Sequence, residues 1–203
     1  MIEIYYAPPS IYGRKVLTVL EEKGLDYTIH KMSFATQDHL KEDYLKLNPN
    51  GEIPTLIDEE QIIYESTAII EYLNEEYPFP PLMPEGSYER AQVRMIDDFC
   101  DIHFYPLLVN CFIQKFVRNQ EWAEEEIQNA LSKLSRIEQF LGNREYLVGQ
   151  FSLADCAVMP AVATMDIFGW SNRLGAFPSV KKYVERLRGR RSYIKGASLV
   201  KLD

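Results

Sequence analysis

A proline-dense run, Tyr77-Pro78-Phe79-Pro80-Pro81-Leu82-Met83-Pro84, interrupts this chain of 203 residues and constrains its fold more than any other stretch. Prolines at that density forbid a helix and impose extended backbone, so a domain boundary falls there, with a linker over residues 77–87. Before it, over residues 1–76, strand and helix periods alternate; after it, over residues 88–203, the pattern is helical throughout. Ile2-Glu3-Ile4-Tyr5-Tyr6 alternates as a strand, Ala7-Pro8-Pro9 breaks it, and Ser10 begins a helix with Val16, Leu17, Val19 and Leu20 at helical spacing, ended by Gly24. Tyr27-Thr28-Ile29-His30-Lys31-Met32 reads as a second strand, parallel to the first through a right-handed crossover. Residues 37–47 form a short helix or an irregular link. Thr55-Leu56-Ile57 and Ile62-Ile63-Tyr64 are two strands at hairpin spacing around Asp58-Glu59-Glu60, followed by a helix over 66–76. Beyond the linker, helices are expected over 88–119, 121–141, 153–169 and 178–189.

Composition narrows the class. The chain is 46% hydrophobic and 26% charged, ordinary for a folded globular protein. It has no run of about 18 apolar residues, and Met1-Ile2-Glu3-Ile4 lacks the basic start and cleavage site of a signal peptide, so a cytoplasmic protein is expected. Cys100, Cys111 and Cys156 make no metal-ligand spacing and, being odd in number, no disulfide framework; they read as buried apolar residues, and no metal is expected. A formal net charge of −8 opposes association with nucleic acid or anionic membrane. Lys181, Lys182, Arg186, Arg188, Arg190 and Arg191 are basic, but they alternate with Val180, Tyr183, Val184 and Leu187, as on the solvated face of a helix.

The chemistry concentrates at Asn48-Pro49-Asn50-Gly51-Glu52-Ile53-Pro54-Thr55-Leu56 and Tyr64-Glu65-Ser66-Thr67-Ala68. Asn50-Gly51 is a turn signal, and a proline at the head of a strand is a candidate cis bond. A cis Ile53-Pro54 bond would turn the main chain of Ile53 toward a cleft, free to pair with an extended peptide. Ser66 at a helix N-terminus suits a carboxylate, and Glu65 suits an ammonium group. Plain helix capping by the same residues is the alternative.

The ordered series N-P-x-G-x-I-P-x-L followed by x-E-S-x-A-I-I-x-Y-L resembles the glutathione transferase family, over nearly the whole chain. The βαβαββα order of residues 1–76 matches that family's thioredoxin-like domain, and the remainder its C-terminal helical bundle. Tyr146-Leu147-Val148-Gly149, with Phe151-Ser152-Leu153-Ala154-Asp155, resembles the family's folding motif, a capping box of Ser152 and Asp155 with Phe151 as a staple.

The resemblance implies glutathione as cosubstrate with no further cofactor, a homodimer, and attack of the glutathione thiolate on a small hydrophobic electrophile. A thiol of pKa near 8.5 is only about 3% ionised at pH 7, so an activator is needed. Ser10, at a helix N-terminus after the first strand, is the candidate, with helix capping as its plain reading. Its spacing to Lys15 and Val16 resembles serine-type members, while Tyr5 and Tyr6 compete because other classes use a strand-one tyrosine. Lowering the thiol pKa by about two units gains only about threefold after the loss of nucleophilicity, so positioning of the electrophile carries more of the rate. Ile53, Pro54, Glu65 and Ser66 would bind the tripeptide, with His39 or Lys41 on its glycine carboxylate. Glu52 stands where relatives often carry Gln or Lys and would not help bind a carboxylate. Tyr12, Phe34, Cys100, Phe104, Tyr105 and Leu108 are candidates to line the electrophile pocket between the domains. Residues 1–76 contain no cysteine, which disfavours disulfide-reductase chemistry. The resemblance leaves open a glutathione-dependent isomerase or peroxidase, although the Ser-Ser-Cys run of zeta-class isomerases is here Ser10-Ile11-Tyr12, and it leaves open a non-catalytic binding or regulatory module.

Overall fold

The computed structural model describes residues 1–199, with side chains through residue 195. Strand β1 (Ile2–Tyr6) pairs in parallel with β2 (Tyr27–Lys31) and antiparallel with β3 (Thr55–Asp58), which pairs with β4 (Gln61–Tyr64), giving a mixed sheet of order β2-β1-β3-β4. Alternation along β1 sends Ile2, Ile4 and Tyr6 into the core, and the register sets Ile4 opposite the equally buried Leu56. Helix α1 (Ile11–Lys23) ends at Gly24 in the left-handed conformation, φ 65°, which a glycine adopts without strain. After β2, a 3₁₀ turn at Asp38–Leu40 leads into the short α2 (Glu42–Leu45), and α3 (Ser66–Glu76) follows β4.

The helical half begins with α4 (Ser87–Phe99), which passes through a π-helical turn at Cys100–Phe104 into α5 (Tyr105–Phe112) and a second π turn at Ile113–Val117. Pro106 explains the first turn: it has no N–H and crowds the carbonyl four residues back, so the helix widens and the Tyr105 amide bonds Cys100 O, five residues away. Helix α6 (Glu124–Leu141) begins three residues later than its periodicity suggests, because Trp122 leaves the helical path to pack against Phe168 and Trp170 while its indole donates to Cys111 O at 2.8 Å. Helices α7 (Leu153–Ile167) and α8 (Pro178–Arg188) follow, and α9 (Arg191–Leu199) was not foreseen, since Gly189 and Arg190 interrupt the pattern before it.

Helix α1 packs between the sheet and the helical domain, against α3 on one side and α7 and α9 on the other. It is buried nearly all round, which forces even Arg14 and Lys15 into the interior. Two of the basic residues expected on a solvated face are instead ties: Arg190 makes a bidentate pair with Glu22 of α1, Nε to Oε1 2.7 Å and Nη2 to Oε2 2.5 Å, and Arg188 Nε donates to Asp166 at 2.9 Å. Phe151, expected as a staple, carries the Arg190 guanidinium 3.5 Å above its ring centre. All three cysteines are free and buried. Among the described residues, no single helix is long and apolar enough to cross a membrane.

Candidate active site

The loop before β3 is organised by Asn48, a buried amide. Its Nδ2 donates to Glu52 O at 2.9 Å and to Thr55 Oγ1 at 3.2 Å, while its Oδ1 accepts the Asn50 amide at 3.0 Å. Tyr44 adds a hydrogen bond from its hydroxyl to Glu52 O, 2.5 Å. Gly51 sits at φ 62° with Leu40, His39 and Leu45 crowding its missing Cβ, so the turn needs a glycine there. This scaffold delivers Ile53 and Pro54 to the cleft, and the bond between them is cis. Among the described residues the Ile53 amide donates to no protein acceptor.

Ser10 is the N-cap of α1. Its Oγ accepts the Gly13 amide at 3.0 Å and lies 3.5 Å from Ile53 O, the outer limit of a hydrogen bond. The hydroxyl and the Ile53 main chain, 43 residues apart in sequence, therefore share one edge of the cleft. Because Oγ accepts from Gly13 and donates to Ile53 O only at 3.5 Å, its proton could turn to a stronger acceptor, and helix α1 favours negative charge beside it.

Glu65 and Ser66 form the second edge. Glu65 adopts φ 71°, ψ 116°, a conformation that strains a non-glycine residue by about 1–3 kcal/mol and that concentrates at ligand clamps. Its exposed carboxylate accepts from Asn50 Nδ2 at 3.2 Å, across the cleft. Ser66 is buried at the first position of α3. Thr67 after it enters a buried ionic cluster: Lys15 Nζ donates to Thr67 Oγ1 at 3.0 Å and lies 2.9 Å from Asp97 and 2.8 Å from Asp101, and the Thr67 hydroxyl donates to Asp97 at 2.5 Å. The N-terminus of α3 is thereby fixed to both α1 and the helical domain. Burial raises the Asp101 carboxyl, against the lowering pull of Lys15.

His39 lies in the 3₁₀ turn behind Gly51, with the Phe34 ring edge-on to it at 5.2 Å, and its Nδ1 has no partner among the described residues. Lys41 points away into an exposed ion pair with Asp38, 2.5 Å, as a cation on a solvated turn does. Tyr6 is core: its hydroxyl is committed to Pro8 O at 3.1 Å, and burial pushes its pKa up to about 12, so it stays protonated there. Tyr5 faces away from Ser10's side of the strand and stacks on His30.

The expected lining residues divide. Phe34 is 44% exposed, and Tyr12 is half-buried at the domain junction, its ring edge-on to Tyr105 and its hydroxyl donating to Asp101 O at 3.3 Å. Phe104, Tyr105 and Cys100 present no exposed surface, because the helix from α4 through α5 turns them into the core, whereas Leu108, equally buried, lines a small cavity at the start of α1. Pro9, Val109 and Phe112 line the same small cavity, with Arg14. Sequence reading missed these, and missed the roles of Asn48, Thr67, Asp97 and Asp101. The one local signal was an Arg14-Lys15 pair inside an otherwise apolar helix.

A thioredoxin-like domain joined to an all-helical domain, with a serine facing the strand-head proline, defines a recognisable class. Residues 9–76 match the model of the glutathione S-transferase N-terminal domain and residues 99–190 that of its C-terminal domain. A stringent starvation protein A homolog of Coxiella burnetii is 30% identical over 194 residues, covering 95% of this chain and 90% of that one. A maleylacetoacetate isomerase of Pseudomonas aeruginosa is 31% identical over 192 residues, covering 89% and 87%. A solved structure of a Bombyx mori glutathione transferase superposes with a TM-score of 0.88 at 25% identity, covering 100% of this chain and 97% of that one. The chain belongs to the glutathione S-transferase family.

Proposed function

We propose that this protein is a cytoplasmic glutathione transferase that conjugates the glutathione thiolate to small hydrophobic electrophiles, a detoxification chemistry, and works as a homodimer. The observation that carries this reading is the approach of the Ser10 hydroxyl to the Ile53 main chain. A tripeptide paired with Ile53 would bring its cysteine sulfur to that hydroxyl. Its α-carboxylate would meet the free amides at the start of α3 and its ammonium group the carboxylate of Glu65, whose strained backbone fits a ligand clamp. His39, beside Gly51 in the turn before Ile53, is preferred to Lys41 for the glycine carboxylate, because Lys41 is held in an ion pair with Asp38. An exposed stripe of Tyr88, Met95 and Ile102, seven residues apart along one helical face, supports pairing with a second copy.

Two other readings have a specific basis in the relatives' names. The isomerase relative favours glutathione-dependent isomerisation on the same thiolate, and the starvation-protein relatives favour a regulatory module. Calorimetric titration with glutathione separates the two glutathione-dependent readings from the regulatory one. The transferase reading predicts binding to the wild type that weakens about tenfold in Glu65→Gln and in Ser66→Ala, as expected for loss of a hydrogen bond to a charged group. No binding would favour the regulatory module, and dissociation constants unchanged in both variants would contradict the placement of the γ-glutamyl group.

A further inference from the structure

Arg14 follows Ser10 by one turn of α1 and is only 4% exposed. Its Nη2 donates to Thr164 Oγ1 of α7 at 2.6 Å, and among the described residues Nε and Nη1 meet no acceptor and no carboxylate pairs with the guanidinium. The hydroxyls that face it, Tyr6, Tyr105 and Tyr193, donate their protons elsewhere, to Pro8 O, Ala157 O and Asp166. The other buried cations of α1 are satisfied: Lys15 by two carboxylates and a hydroxyl, Lys23 by the carbonyls of Tyr77 and Pro80 at 2.7 and 3.0 Å. A buried guanidinium without a counter-ion is destabilising, and an apolar side chain of similar volume would fill the same space without that penalty. Thr164 cannot supply what is missing, since its own proton goes to Pro160 O at 2.8 Å.

Two small cavities of ≈ 10 Å³ each adjoin Arg14. One lies beneath α9, beside Ser192 and Tyr193. The other lies beside the start of α1. Its floor is Arg14 and Thr164, its walls are Ile11 and Leu108, and its rim is the partly exposed trio Pro9, Val109 and Phe112. Pro9 and Ile11 flank Ser10 in sequence, so this cavity adjoins the serine's end of α1. Its size suits a single oxygen atom, its floor carries the charge of Arg14, and its rim is apolar and aromatic.

We propose that Arg14 is the specificity-determining residue of the second-substrate cleft and selects electrophiles that carry a carboxylate or comparable oxyanion on a flat apolar body. The oxyanion enters the cavity onto the guanidinium, and the apolar part lies between Pro9 and Phe112, leaving the reactive carbon near Ser10. The location of the sulfur rests on the transferase reading; recognition of the oxyanion does not.

The test is calorimetric titration of the full chain with benzoate and with benzyl alcohol, its uncharged counterpart, each with and without glutathione, for the wild type, Arg14→Lys and Arg14→Gln. The wild type is expected to bind benzoate more tightly. Arg14→Gln is expected to weaken benzoate about 30-fold, as for a lost charge-assisted hydrogen bond, while moving benzyl alcohol less than about threefold. Arg14→Lys keeps the charge and falls between, and it serves with the wild-type comparison if Arg14→Gln does not fold. Equal wild-type affinities for the two ligands, or equal losses of both in the variants, would overturn the proposal. Benzoate discrimination without glutathione binding would sustain it while removing the transferase reading, whereas glutathione conjugation without discrimination would remove the proposal alone.

Discussion

Gly13 holds the Ser10 hydroxyl in place through its amide, and does so only because it has no side chain. A Cβ there would stand 2.7 Å from Tyr6 Cδ2 and 3.3 Å from Ser10 Oγ. The Tyr6 ring is locked in the core and cannot retreat, so Gly13→Ala is expected to lower stability by about 1–3 kcal/mol in urea unfolding, the usual range for overpacking, and to disturb the serine as well. A variant as stable as the wild type would show that the contact is not tight. Glu65 raises the converse case: its left-handed backbone is unfavourable for the isolated residue, so Glu65→Gly should leave stability equal or higher while weakening glutathione binding, and loss of stability in that variant would argue that the strain has been misplaced.

At the scale of elements, two buried polar clusters fix the helical domain. Asp155 caps α7 by accepting the Ser152 amide at 2.9 Å and also takes the Leu147 amide at 3.1 Å and the Tyr183 hydroxyl at 2.8 Å, yet burial outweighs these bonds and raises its carboxyl to about 6. A carboxyl raised on folding contributes stability that is present below pH 4 and is lost as pH rises through 6, here by roughly 2–3 kcal/mol. The stability of the wild type relative to Asp155→Asn should therefore fall between pH 4 and pH 6; a difference independent of pH would contradict the burial of an ionising group. Lys15 joins α1, α3 and the helical domain, and Lys15→Met would leave Asp97 and Asp101 without a cation, a loss of about 3 kcal/mol that Asp97→Asn in the same chain should partly restore. These two clusters also show what the sequence could and could not disclose. The Asp155 cap was legible because Ser152 is three residues away, as were the strands, the linker and most helices, whose periods are local. The Lys15 cluster was not, because Asp97 is 82 positions distant, and Arg14 meets Thr164 at a separation of 150. Phe104 and Tyr105 lie in the core for a related reason that the sequence hides: an apolar helix face does not reveal whether a cleft or a core lies opposite.

Across the whole molecule, the two domains meet along α1, from the Arg14–Thr164 bond near its start to the Glu22–Arg190 pair near its end. The exposed stripe of Tyr88, Met95 and Ile102 predicts a dimer in sedimentation equilibrium and a monomer for Met95→Glu combined with Ile102→Glu; a monomeric wild type would contradict it. The account as a whole depends on the serine hydroxyl stabilising a glutathione thiolate beside Ile53. Thiolate absorbance of bound glutathione, followed against pH in the wild type and in Ser10→Ala, measures this directly. The wild type is expected to ionise the thiol one to two units below its ordinary value near 8.5, and the variant to return it to about that value with the tripeptide still bound. The same titration midpoint in both proteins would contradict it.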